Sequence, residues 1–254
     1  MEPEKQDYLR LSRIPTDWTW IRRAHKGSPE MVRYAQERLL QRYGGAIRRY
    51  LLGALRDENA ADDVFQEFSL RFIRGDFQNA CPERGRFRQF LKTALYHLIV
   101  DYQRRQKRTP RPLEMDVADP VEPSTDEIEA DRKFLITWRE ELLSRTWWAL
   151  QQSQPRIGLP YFDLLRFRTE HPSVPSGEMA KQFGQQLGKP VSADAVRQTL
   201  KRARDRFADL LVAEVAQSLD APSEVDLADE LEELGLLHYC ATALERRESQ
   251  SEPP

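Results

Sequence analysis

Around ADDVFQEF, residues 61–68, apolar side chains recur at Ala60, Val64, Phe68 and Phe72 with Phe65 beside them, while Asp62, Asp63, Gln66, Glu67 and Arg71 stay off that stripe. A four-residue repeat marks one buried helix face, so the segment predicts a helix whose acid and amide side chains meet water or a partner. The design recurs on both sides. Upstream, Ser28 is placed to cap a helix with Pro29 at its first position, running through Met31, Tyr34, Leu39 and Leu40, and a second apolar series follows through Ile47, Tyr50 and Leu51. Downstream of RGDFQNACPERG, the run beginning at Phe87 turns Phe87, Leu91, Ala94, Leu95, Leu98 and Tyr102 inward. It ends in Arg104, Arg105, Lys107 and Arg108, where cations suit a helix C-terminus.

The second half is also helical in pattern, and no run is long enough to argue for a sheet. From Arg132 to Gln152 the apolar residues Phe134, Leu135, Trp138, Leu142, Trp147 and Leu150 are too widely spread for one narrow stripe, which predicts a largely buried helix. A shorter helix is expected from Tyr161 to Arg168. Ser176 and Ser192 are then placed as N-caps of two further helices, with Val191 and Val196 as a hydrophobic staple at the second. That last helix buries Val196, Leu200, Ala203, Phe207 and Leu211 and projects Arg197, Gln198, Lys201, Arg202 and Arg204. Helix, glycine-containing turn and basic helix form a helix-turn-helix pattern. With Gly184 and Gly188 both available, either the first helix runs on to Leu187 or the turn is enlarged.

Charge divides the chain where composition changes. Residues 1–112 carry 23 Lys and Arg against 14 Asp and Glu, residues 113–130 carry 7 acidic and no basic residues, residues 131–219 carry 14 basic against 10 acidic, and residues 220–254 carry 2 against 10. The net charge of −2 hides this alternation. Two basic blocks on an acidic, proline-containing tether predict two domains, 18–108 and 131–219, with a linker 109–130 and an acidic extension 220–254. The basic blocks suit a polyanion. In the extension, Leu227, Leu231, Leu234 and Leu236 or Leu237 at helical spacing among acids predict an amphipathic helix, either capping the second domain or folding back over cationic surface.

Candidate enzyme chemistry finds little support. The carboxylates of ADDVFQEF have no second acidic cluster to converge with, and His25, His97, His171 and His238 are scattered, so no metal or cofactor site is implied. No phosphate-cradling glycine motif or nucleophile elbow is present. Cys81 and Cys240 do not make a disulfide framework, MEPEKQDYLR lacks an apolar leader, and no apolar run approaches membrane length; a cytoplasmic protein with no membrane contact is expected.

The run YGGAIRRYLLGALRDENAADDVFQEFSLRFIRG with GRFRQFLKTALYHLIVDYQRRQKR resembles region 2 of bacterial RNA polymerase sigma factors of the extracytoplasmic-function class of the sigma-70 family. EMAKQF and ADAVRQTLKRARDRFADLL resemble their region 4. The resemblance implies an all-α, two-domain, non-enzymatic factor that binds core RNA polymerase at its largest-subunit clamp helices and flap region, melts promoter DNA and directs initiation. It implies that Asp62, Asp63, Gln66 and Glu67 contact the polymerase. By position it places Arg84, Arg86, Arg88, Lys92, Tyr96, His97, Arg104 and Arg105 toward the minus-ten element, and Ser192, Asp194, Arg197, Gln198, Lys201 and Arg202 toward the minus-thirty-five element. It also allows an anti-sigma factor as a further partner. Two alternatives compete with this reading: a stand-alone helix-turn-helix regulator, which leaves the first domain unexplained, and a helical protein-interaction adaptor.

Overall fold

The computed structural model describes residues 17–77, 86–106, 125–155, 158–219 and 222–251. Among them every regular element is an α-helix, so the expected all-α class is the one adopted. The elements are α1 (Asp17–His25), α2 (Pro29–Leu55), α3 (Glu58–Arg74), α4 (Phe87–Gln106), α5 (Thr125–Gln152), α6 (Tyr161–Glu170), α7 (Ser176–Leu187), α8 (Ala193–Gln217), α9 (Glu224–Glu233) and α10 (Leu237–Ser251).

The described residues fall into two compact units. One takes those up to Glu141 with 216–219, and the other takes Leu142–Val215 with those from Pro222 onward. This division differs from the boundaries drawn on charge at 108, 131 and 219. The end of the expected linker, from Thr125, is already part of α5. Arg84, Cys81 and residues 107–124 lie outside the described residues.

In the first unit, α2 joins both apolar series in one helix, opened by a hydrogen bond from the Met31 amide to Ser28 Oγ (3.4 Å). Asp57 caps α3 in the same way, accepting from the Ala60 amide at 2.8 Å. The core unites Leu39, Tyr43, Ile47 and Leu51 of α2 with Ala60, Val64, Phe68 and Phe72 of α3 and Phe87, Leu91, Leu95 and Leu98 of α4. Ile99 is buried too, whereas Ala94 and Tyr102 are only half-buried. Met31 and Tyr34, assigned to the apolar face by spacing, are exposed, because Ala35 and Leu39 take the buried face of α2. Tyr34 still meets Trp20 edge-on at 5.7 Å. The guanidinium groups of Arg23 and Arg38 lie over the Trp20 ring, 5.1 and 4.9 Å from its centre, so part of the basic charge of this block serves packing.

The N-terminal part of α5 completes that core. Trp138 stacks on Tyr43 with ring centres 5.2 Å apart and planes 4° from parallel, and Phe134 meets Tyr50 edge-on at 5.1 Å. The expectation of a largely buried α5 is corrected: its buried side chains are Phe134, Trp138, Leu142, Thr146 and Leu150, one every fourth residue, and Trp148 is 65 % exposed. Thr146 sits in the stripe without an orphan hydroxyl because its Oγ1 donates to the Leu142 carbonyl at 2.7 Å.

The second unit packs Leu150 against Leu159, Leu164 and Leu165, Met179, Ala180 and Phe183 of α7, and Val196, Leu200 and Ala203 of α8. Arg168 ties the loop between α6 and α7, donating to the carbonyls of Pro172 (3.1 Å) and Val174 (2.6 Å). Ser176 does not cap α7. Pro175 occupies the cap position with no side-chain bond, and Ser176 is already the first helical residue. The acidic extension forms two helices: Leu227 and Leu231 of α9, then Leu234 and Leu236, are buried, followed by Cys240 and Ala243 of α10. Ser223 and Asp226 make a reciprocal capping box at the start of α9. Glu230, three residues after Leu227 and four before Leu234, shares their face and is 0 % exposed and engaged within the protein.

Candidate functional site

Helix α3 presents the first face. Because Ala60, Val64, Phe68 and Phe72 are held inward, helical geometry turns Asp63 and Gln66 outward, and both are exposed. Asp62 and Glu67 lie at the margins of this face. Asp62 pairs with Arg48 of α2 at 2.7 Å, and Glu67 accepts from Arg71 Nε at 2.7 Å, one turn further along. That hydrogen bond, with the positive field of Arg71, Arg105 and Arg74, holds the Glu67 carboxyl below its ordinary range. Two of the four expected contact residues are thus braced from within, and two are presented freely to solvent.

The same face carries apolar side chains that the sequence reading omitted. Leu70 is 47 % and Ile73 51 % exposed. With Asp63 and Gln66 they follow the three- and four-residue steps of one helical face. The signal was present in the spacing, but a leucine and an isoleucine in a helix are ordinarily counted toward a core. A surface joining a carboxylate, an amide and two aliphatic side chains suits a protein partner with cations beside an apolar patch better than it suits a polyanion.

Helix α4 presents the second face. His97, Arg104 and Arg105 are exposed, and Tyr96 is half-buried with its ring centre 5.9 Å from that of His97. Lys92 is engaged with Asp131 of α5 at 2.9 Å, and Arg86 is half-buried with partners in the protein. Arg88 departs from the expected phosphate contact: it is 5 % exposed and engaged within the protein. Arg84 lies outside the described residues. The structure therefore brings Lys92, Tyr96 and His97 together along successive turns, with Arg104 and Arg105 at the helix end, and leaves Arg88 out.

The third face belongs to the helix-turn-helix of α7 and α8. Helix α7 runs on to Leu187, which decides between the two geometries the sequence allowed, and Gly188 closes it in the left-handed region (φ 62°). The Lys189 amide donates to the Gly184 carbonyl at 3.1 Å. A Cβ at Gly184 would stand 3.1 Å from the Lys189 carbonyl oxygen, so glycine lets the turn fold tightly onto α7. Ser192 caps α8, accepting from the Ala195 amide at 3.1 Å, and Val191 and Val196 both join the core below it. Asp194 pairs with Arg197 on the first turn. Gln198, Lys201 and Arg202 are exposed at successive helical steps.

Among the described residues no group of three or more metal-ligating side chains converges, and no helix is long and apolar enough to cross a membrane. Among the described residues, the faces set out above are one acidic and apolar and two basic. Residues 39–109 match the family model of sigma-70 region 2. That segment contains most of α2 and all of α3 and α4, and the match supports a sigma-70 family sigma factor with a role in RNA polymerase binding and promoter recognition. Region 2 is a non-enzymatic part of the transcription initiation machinery. Neither a curated protein nor a solved structure matches the chain.

Proposed function

We propose that this chain is a sigma factor of the extracytoplasmic-function class, which binds core RNA polymerase through the exposed face of α3 and carries it to promoters. The observation that carries the reading is the match of residues 39–109 to sigma-70 region 2, the segment in which α3 turns Asp63, Gln66, Leu70 and Ile73 to solvent. Asp63 supplies negative charge to cations of the clamp helices, Gln66 a directional hydrogen bond, and Leu70 and Ile73 apolar area to be desolvated. Asp62 and Glu67, held by Arg48 and Arg71, border the contact and keep its charge in place.

In this reading α4 meets the minus-ten element. Tyr96 and His97 receive unpaired bases by stacking and by hydrogen bonds to their edges, while Lys92, Arg104 and Arg105 meet the backbone. Lys92 must exchange Asp131 for a phosphate to do so. Helix α8 enters the major groove of the minus-thirty-five element with Gln198, Lys201 and Arg202 forward, and Arg197 trades Asp194 for a base or phosphate. No bond is made or broken by the protein; its work is to position the polymerase and to stabilise melted DNA by binding it better than the duplex.

A fluorescence-anisotropy titration of the labelled full-length chain with purified bacterial core polymerase tests the proposal. Saturable one-to-one binding, competed by another sigma factor, is expected. A chain that binds duplex DNA but not core polymerase would instead be a stand-alone regulator.

A further inference from the structure

Helix α8 does not stay basic along its length. Three- and four-residue steps carry the face of Lys201 and Arg202 onward to Asp205 and then Asp209. At 1.5 Å rise per residue these carboxylates follow Arg202 by about 5 and about 11 Å along the axis. Those separations are comparable with a Debye length of about 8–10 Å at physiological salt, so two bare carboxylates there would oppose any polyanion held by Lys201 and Arg202.

They are not bare. Arg246 of α10 places Nη2 2.7 Å from Asp209 Oδ1 and Nη1 3.6 Å from Asp205 Oδ1. The hydrogen bond to Asp209, with the negative field of both carboxylates, strengthens the guanidinium's hold on its proton. Helix α10 is anchored for this contact by the buried Leu236, Cys240, Ala243 and Leu244, and by Arg247 facing Glu224 of α9 at 3.5 Å. Residues 220–254 contain 10 acidic residues and only two basic ones, Arg246 and Arg247. Both are used in ion pairs within this unit, and one of them meets two carboxylates midway along α8.

We propose that Arg246 is a positioning residue for DNA recognition: it shields Asp205 and Asp209 beside the basic face of α8, so the acidic C-terminal helices support duplex binding instead of obstructing it. The inference rests on the reading of α8 as the helix that meets duplex DNA. It runs opposite to the idea that the extension folds over cationic surface, because the ion pairs it makes with α8 set a cation on anions.

Anisotropy with the full-length chain and a mixed-sequence fluorescent DNA duplex tests it, since the effect is electrostatic and independent of sequence. Arg246→Gln should weaken binding about three- to tenfold near 0.05 M salt, and the ratio should shrink as salt approaches about 0.2 M. Arg246→Lys should retain most of the affinity. In the Asp205→Asn/Asp209→Asn background, which keeps Arg246 and should bind at least as tightly as wild type, adding Arg246→Gln should have little further effect. An equal loss in both backgrounds would mean that any lost cation acts alike, and would overturn the shielding role. So would wild-type affinity in Arg246→Gln, or weaker binding by the Asp205→Asn/Asp209→Asn protein. If the wild-type chain binds core polymerase but no duplex at low salt, the reading of α8 itself fails, and the inference with it.

Discussion

Trp138→Ala removes the side chain through which α5 enters the core of the first unit. Trp138 is 2 % exposed, stacked on Tyr43 and with its ring centre about 6 Å from those of Phe87 and Phe134. Burying a Trp withdraws about 150–250 Å² from water, worth roughly 4–6 kcal/mol at about 25 cal/mol per Å². Against this, the buried indole Nε1 has no hydrogen-bond partner among the described residues, a penalty of about 1–3 kcal/mol that the substitution relieves. The net expectation is a loss of about 3 kcal/mol, at the lower end of the range for such truncations. Trp138→Phe keeps a ring in the stack and discards the unpaired N–H, so it should cost less than about 1.5 kcal/mol. Hydrogen exchange read by mass spectrometry separates the two units: in Trp138→Ala the amides of α2 and α4 should lose protection, with a smaller effect on α6 and α7. Unchanged protection in α2 and α4, or a Phe variant as damaged as the Ala variant, would refute the packing argument.

Placing cations on the exposed face of α3 with Asp63→Lys and Gln66→Lys should weaken core-polymerase binding by tenfold or more while leaving urea stability within about 0.5 kcal/mol, because both positions are exposed. Arg197→Ala or Gln198→Ala should reduce run-off transcription from a promoter that depends on its upstream element, by about 1–3 kcal/mol if a bidentate base contact is lost. Burial against Phe72 lowers the His25 pKa from 6.5, so the unfolded chain binds that proton more readily than the folded one. Stability should therefore fall as pH drops below 6.5, and His25→Gln should flatten that part of a urea-midpoint profile. Burial, with Asp209 adding to it, pushes the Cys240 thiol up to about 12, so in native protein it should resist iodoacetamide at neutral pH and become labelled in denaturant.

The helices were legible where a single spacing governed them. Ala60, Val64, Phe68 and Phe72 announce α3 because each fourth residue is apolar, and the buried set agrees. In α5 the equally regular stripe was obscured because Thr146 interrupts it with a hydroxyl that bonds its own helix, while Leu135 and Trp147, both only half-buried, suggest a second buried face. Charge misled in the opposite direction. Arg88 and Glu230 count as surface charges in any composition, yet both are buried and engaged within the protein, since a buried charge depends on its partners and not on its type. The acid and amide positions of α3 could be read from the sequence, but Leu70 and Ile73 could not be separated from core residues until the neighbouring helices fixed which face stayed open. The contacts of Arg246 with Asp205 and Asp209 join residues about forty positions apart, a distance that helical periodicity does not reach.

As a sigma factor, the chain would give core RNA polymerase a promoter preference. That preference is read by transcription in vitro from a pool of genomic DNA fragments, with purified core polymerase in the presence and absence of the protein, followed by sequencing of RNA 5′ ends. Discrete start sites that require the protein, share upstream sequence elements and vanish with the Asp63→Lys/Gln66→Lys variant are expected. Start sites no different from those of core polymerase alone, under conditions in which another sigma factor directs initiation, would contradict the claim.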